Sequence, residues 1–113
     1  MEHNFVLGVD QSLTQGRIME SMTQGQVISV AHVCKDGWHT FTCLEVPGFH
    51  LVSTEPDLEA AYAEVPLAIA EIIESDTGIP TEVELENSYS EYLAKLPDGM
   101  RPATRHYSVK RAA

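Results

Sequence analysis

Apolar residues recur along this chain with two different periods. Near the N-terminus, Phe-Val-Leu-Gly-Val at residues 5–9 predicts a strand that ends at Asp10. Residues 11–16 are polar and rich in turn formers. Residues 17–22 fit either a short strand or a helical turn, and residues 23–26 read as a loop. A better strand follows at residues 27–34, where Val27, Ile28, Val30 and Val33 are β-branched. Asp36-Gly37 then predicts a type I′ hairpin turn, because both of its central residues need positive φ. The return strand spans residues 38–46 and stops at Pro47-Gly48, and residues 49–53 form a third strand of the meander.

The period then changes. Leu58, Tyr62, Val65, Ile69, Ile72 and Ile73 recur at spacings of three and four, which predicts an amphipathic helix with Asp57 as N-cap. Glu59, Glu64, Glu71 and Glu74 fall on other sides of the wheel, and Leu67 lies opposite the apolar stripe. Pro66 predicts a kink or a break with a restart, since a proline inside a helix costs about 3 kcal/mol. Thr77-Gly78-Ile79-Pro80 closes the helix. A fourth strand is expected at 81–85 and a short helix at 89–96, capped by Asn87 or Ser88. A turn follows at 97–99, and an extended segment at 105–109. The fold class is α+β, with an antiparallel sheet of three to four strands on one main helix. There are no internal repeats and no long linker.

At 113 residues the chain has the size of one domain, and its apolar share of 43% is enough for a core. No apolar run approaches the roughly 20 residues that cross a bilayer. The N-terminus lacks the basic region of a secretory signal, so a cytoplasmic, membrane-free protein is expected. Charge changes the picture more. Residues 1–100 hold all 17 acidic residues against three basic ones, whereas residues 101–113 hold Arg101, Arg105, Lys110 and Arg111 and no acid. The acidic body repels nucleic acid phosphates and either attracts basic protein surfaces or simply keeps a small protein soluble, while the tail either folds back on the body or touches phosphates.

The candidate chemistry is sparse. With a two-residue turn at Asp36-Gly37, position 34 faces 39 and position 32 faces 41, which puts His32, Cys34 and His39 on one face. Three such ligands could hold zinc, but Cys43 pairs with Val30, too far away to be a fourth ligand or a disulfide partner of Cys34. Ordinary sheet residues are the competing reading. Glu82, Glu84 and Glu86 alternate along the fourth strand, either guarding a sheet edge or forming a docking stripe. No Gly-x-Ser-x-Gly and no glycine-rich phosphate loop is present.

The order strand, Asp-Gly turn, strand, Pro-Gly, strand, acidic cap and helix resembles the HicB antitoxin domain. It is closer still to a sibling family of uncharacterised HicB-like domains. The motif is Glu45-Val46-Pro47-Gly48, then Asp57-Leu58-Glu59, then Glu71-Ile72-Ile73-Glu74, across residues 27–76. Pro66 falls a few residues before the sibling family's mid-helix proline. The resemblance implies a partial RNase H-like β-β-β-α-β core at 27–86, preceded by an extra segment at 1–26 and followed by a short helix and basic tail at 87–113. It also implies a non-catalytic inhibitor of a basic partner such as a HicA-type mRNA interferase, in a bacterium or a phage-infected cell. Such a module needs no cofactor, binds no nucleic acid directly and forms a homodimer through the sheet edge or the helix. HicB antitoxins usually add a C-terminal DNA-binding ribbon-helix-helix or helix-turn-helix, for which residues 77–113 are too short and too proline-interrupted, and this is why no direct nucleic acid binding is expected here. The partner-binding residues expected are Glu59, Glu64, Leu67, Glu71, Glu74, Glu82, Glu84 and Glu86. A phage-encoded acidic inhibitor that mimics nucleic acid is the alternative. A second resemblance, of Val-Leu-Gly-Val-Asp-Gln-Ser-Leu-Thr-Gln-Gly at residues 6–16 to sugar kinases and RuvC-type nucleases, gives a third reading, a metal-dependent enzyme using Asp10.

Overall fold

A computed structural model describes residues 1–11 and 26–101. Five antiparallel strands form one sheet: β1 (Glu2–Gln11), β2 (Gln26–Lys35), β3 (Trp38–Cys43), β4 (His50–Thr54) and β5 (Thr81–Leu85). The long helix α1 (Leu58–Thr77) and the short helix α2 (Tyr89–Lys95) complete the regular structure, with single 3-10 turns at Glu55–Asp57 and Asp98–Met100.

The strand order is β4-β3-β2-β1-β5. The sheet therefore has five strands where three to four were expected, because β1 joins it. Leu7 and Val9 are buried, so the apolar run at 5–9 has a face to contribute to the core. That strand pairs with β2 on one side, Leu7 opposite Ile28, and with β5 on the other, Val9 opposite Val83. The succession β2-β3-β4-α1-β5 follows the β-β-β-α-β order expected for residues 27–86. However, β5 reaches the rest of the sheet through β1 and not through β2.

The hairpin forms in the expected register. Asp36 and Gly37 have φ of 53° and 81°, as a type I′ turn requires. Cys34 lies opposite His39, His32 opposite Phe41, and Val30 opposite Cys43. Both cysteines are free. The return strand is shorter than expected, ending at Cys43. Leu44 to Phe49 instead turn, with the Val46 N–H donating to the Cys43 carbonyl and the Phe49 N–H to the Val46 carbonyl.

One face of the sheet is covered. Leu58, Val65, Ile69 and Ile73 from α1 meet Ile28, Val30, Phe41 and Val83 from the strands in one core. Asp57 occupies the N-cap position without a side-chain capping bond, because the preceding 3-10 turn already engages the backbone there. Pro66 is the larger departure. The helix runs through it as a single element, with Pro66 itself buried. Its missing N–H costs the Tyr62 carbonyl one helical bond, and the packing of the apolar stripe on both sides outweighs that loss. Gly78 ends the helix at φ 74°, its N–H donating to the Glu74 carbonyl at 2.8 Å. At α2, Ser88 and not Asn87 is the cap. Its hydroxyl accepts from the Glu91 N–H while the Glu91 carboxylate accepts from the Ser88 N–H. The segments expected at 17–22, 23–26 and 105–109 lie outside the described residues, apart from Gln26.

If β1 is a core strand, Leu7→Ala leaves a void in the centre of the sheet. We expect a loss of about 2–5 kcal/mol in urea unfolding. A loss of only a few tenths would mean that residues 1–11 merely lean on a core built without them.

Candidate functional site

The expected partner-binding residues divide between two surfaces. Glu59, Glu64, Leu67, Glu71 and Glu74 are exposed on α1, with Leu67 69% exposed. Glu64, Leu67, Glu71 and Glu74 line one shallow depression on the helix's outer side. Glu82 and Glu84 are exposed on β5, where they alternate with the buried Thr81 and Val83. Since α1 covers the face carrying Val83, these two glutamates point to the opposite face of the sheet. Glu86 follows just beyond the strand and is also exposed. The structure thus brings the helical group together and sets the strand group apart from it. Glu74 is partly committed, since its carboxylate accepts the Thr81 N–H at 2.8 Å.

These carboxylates have little internal compensation. The described residues hold 16 acidic residues against Lys35, Lys95 and Arg101. Among them the one ion pair is Arg101 with Asp98 at 3.5 Å, on the exposed surface, where such pairs contribute little. Asp10 is exposed and lies directly opposite Glu82 in the β1–β5 register, which adds like-charge repulsion on the open face.

The hairpin residues form something different. Alternation brings His32, Cys34 and His39 to the helix side of the sheet, where both histidines are fully buried. The His32 Nε2 and His39 Nδ1 atoms are 2.8 Å apart, and Cys34 Sγ lies 3.9 Å from His39 Nε2. The fourth member is Tyr92 of α2, whose hydroxyl is 2.8 Å from His32 Nδ1. Sequence reasoning missed Tyr92. A tyrosine in a seven-residue helix gives no signal that it will reach a histidine sixty positions away.

Counting donors fixes the direction of this chain. Two neutral imidazoles have one N–H each, so the bonds must all run the same way. If Cys34 began the run, His32 would donate to Tyr92 and the buried tyrosine proton would have no acceptor among the described residues. The satisfied arrangement has Tyr92 donating to His32, His32 to His39, and His39 toward the Cys34 sulfur. Both nitrogens of His32 are thereby occupied, so ligation of a metal there would break existing bonds. Among the described residues no group of three or more His, Cys, Asp or Glu is arranged to hold a metal ion.

Electrostatics keep every member neutral. Burial, reinforced by His39 and His3, drives the His32 pKa down to about 3. Burial also lowers His39, against an opposing pull from Glu55. The Cys34 thiol is pushed up, chiefly by burial and next by Glu55, so this cysteine is not an activated thiolate. Burial also raises Tyr92 above the ordinary phenol range and pushes Tyr62, which stacks on it at 4.3 Å between centroids, up to about 12. The neighbourhood is aromatic throughout, with Phe5 4.8 Å and Phe41 4.4 Å from the Tyr92 and His32 rings respectively. Such a chain ties α2 to the hairpin.

The tie has a pH signature. The folded pKa of His32 lies below its unfolded value of 6.5, so its contribution is complete above pH 6.5 and declines as pH falls toward 3. In urea unfolding from pH 6 to 4.5 we expect His32 alone to weaken the protein by up to about 1.4 kcal/mol per pH unit. His32→Phe should cost about 2–4 kcal/mol at pH 7 through the orphaned Tyr92 and His39 groups, and should flatten that slope. An unchanged slope in the variant would remove His32 as its source.

No protein-family model, no curated protein and no solved structure matches this chain, so its function has to be read from these surfaces and groups.

Proposed function

We propose that this protein is a non-catalytic binding module that docks a basic protein partner on its acidic surface. The observation that supports this best is the excess of uncompensated carboxylates. Sixteen acidic residues stand against three basic ones in the described structure, and the sole ion pair among those residues is a local one. Self-repulsion of this size lowers stability unless a cationic surface relieves it. The resemblance of residues 27–76 to HicB-like domains agrees with this reading. It makes a HicA-type mRNA interferase the kind of partner to look for and a partial RNase H-like core the fold to compare. The neutral state of His32, His39 and Cys34, with the ring nitrogens of both histidines engaged, favours a binding role over catalysis there.

Docking on carboxylates makes association salt-dependent. The partner is captured from nuclease-treated lysate, identified, and titrated as a purified protein. Its affinity should fall about tenfold or more between ~50 and ~300 mM salt, and Glu64→Lys combined with Glu71→Lys should weaken it similarly at low salt. A captured partner that is acidic, or whose affinity ignores both salt and charge reversal, would defeat the reading.

A further inference from the structure

The two edges of the sheet are built differently. The outer edge of β5 carries Glu82 and Glu84, with Glu86 just after it, and charged side chains of this kind discourage pairing with another strand. The edge formed by β4 has no such protection. Its sequence, His-Leu-Val-Ser-Thr, contains no carboxylate, lysine, arginine or proline, and no described strand pairs with its outer side. Alternate residues of β4 therefore direct backbone N–H and C=O groups away from β3.

A groove runs beside this edge, because α1 packs more closely on β5 than on β4. The groove lies along β4 beside the first turns of α1; Leu51, Ser53, Asp57, Ala60 and Glu64 line it on the helix side, and Trp38 and Val52 bound it from the open face. Trp38 is 54% exposed and Val52 is 45% exposed. Its charged lining residues are carboxylates, those of Asp57 and Glu64, and neither forms an ion pair with a described residue.

We propose that β4 and this groove accept an extended segment of a basic partner protein by β-strand addition. The added strand bonds to the free edge of β4. Its alternate side chains point to opposite faces of the sheet. Lysines or arginines on the helix side reach Asp57 and Glu64, and β-branched residues between them lie beside Val52 on the open face. A second copy of this chain is a poorer occupant. Pairing β4 with itself sets two strongly acidic bodies side by side, with the carboxylates of each first turn of α1 near the junction and no described cation to separate them. The inference rests on the proposed basic partner and adds where, and by what backbone geometry, that partner binds.

The test uses full-length protein labelled with nitrogen-15 and a blocked octapeptide of alternating valine and lysine at low salt. Strand addition predicts amide shifts concentrated in His50–Thr54 and around Ala60 and Glu64. It predicts about tenfold weaker binding after Asp57→Lys with Glu64→Lys, and a comparable loss when alternate peptide nitrogens are methylated with the protein unchanged. Asp57 makes no side-chain capping bond, so the charge reversal removes none. Full affinity of the methylated peptide, no binding of the parent peptide, or self-association through β4 that excludes the peptide would each overturn strand addition. Shifts confined to the outer side of α1 or to β5 would also overturn it while leaving the basic-partner reading intact. Equal binding of the alternating valine–glutamate peptide would defeat both.

Discussion

The structure depends on the double pairing of β1. This strand supplies Leu7 and Val9 to the core and is the only described connection between β5 and the rest of the sheet. Without it, β5 would be tied mainly through α1, and the aromatic cluster around Phe5 would lose its centre. A strand inserted between the first and last strands of a β-β-β-α-β succession converts a four-stranded unit into a five-stranded one. It also sets the distance that α1 must cover. α1 packs on both edge strands but more closely on β5 than on β4, so the β4 side of the covered face is more thinly roofed.

That shortage of cover shapes both ends of the sheet. Where α1 lies close, the core is apolar throughout. Beside the hairpin, α2 takes over, and its Tyr92 both closes a polar chain and packs with Tyr62, Leu96 and Met100 in a second apolar cluster. A buried histidine pair is costly unless each nitrogen has a partner. Tyr92 provides the missing donor, so the chain holds α2 to the sheet in a defined orientation. Beside β4 the packing of α1 is looser than on β5, and the groove lies there.

The proposed function draws on charge and edge chemistry together. The acidic residues are numerous, exposed and almost unpaired among the described residues, and the glutamates of β5 close one sheet edge to pairing. The other edge is uncharged and borders two carboxylates. A surface of that kind suits an extended cationic segment, whose backbone satisfies the strand and whose side chains satisfy the acids.

The sequence determined most of the local structure. Apolar, β-branched runs bounded by turn signals located segments of all five strands, Asp36-Gly37 set the hairpin register, and the stripe from Leu58 to Ile73 located α1, because each signal is local and physically redundant. His32, Cys34 and His39 were assigned to one face for the same reason, since side chains alternate in a strand of known register. Tertiary structure decided the rest. The place of β1 between β2 and β5, the continuity of α1 through Pro66 and the arrival of Tyr92 at His32 are all long-range packing outcomes. No local propensity encodes which strand edge a neighbour will choose, or whether packing can override a missing helical bond. The sequence assigned the glutamates to the helix and to the last strand, but not to opposite sides of the sheet, because that separation depends on which face α1 covers.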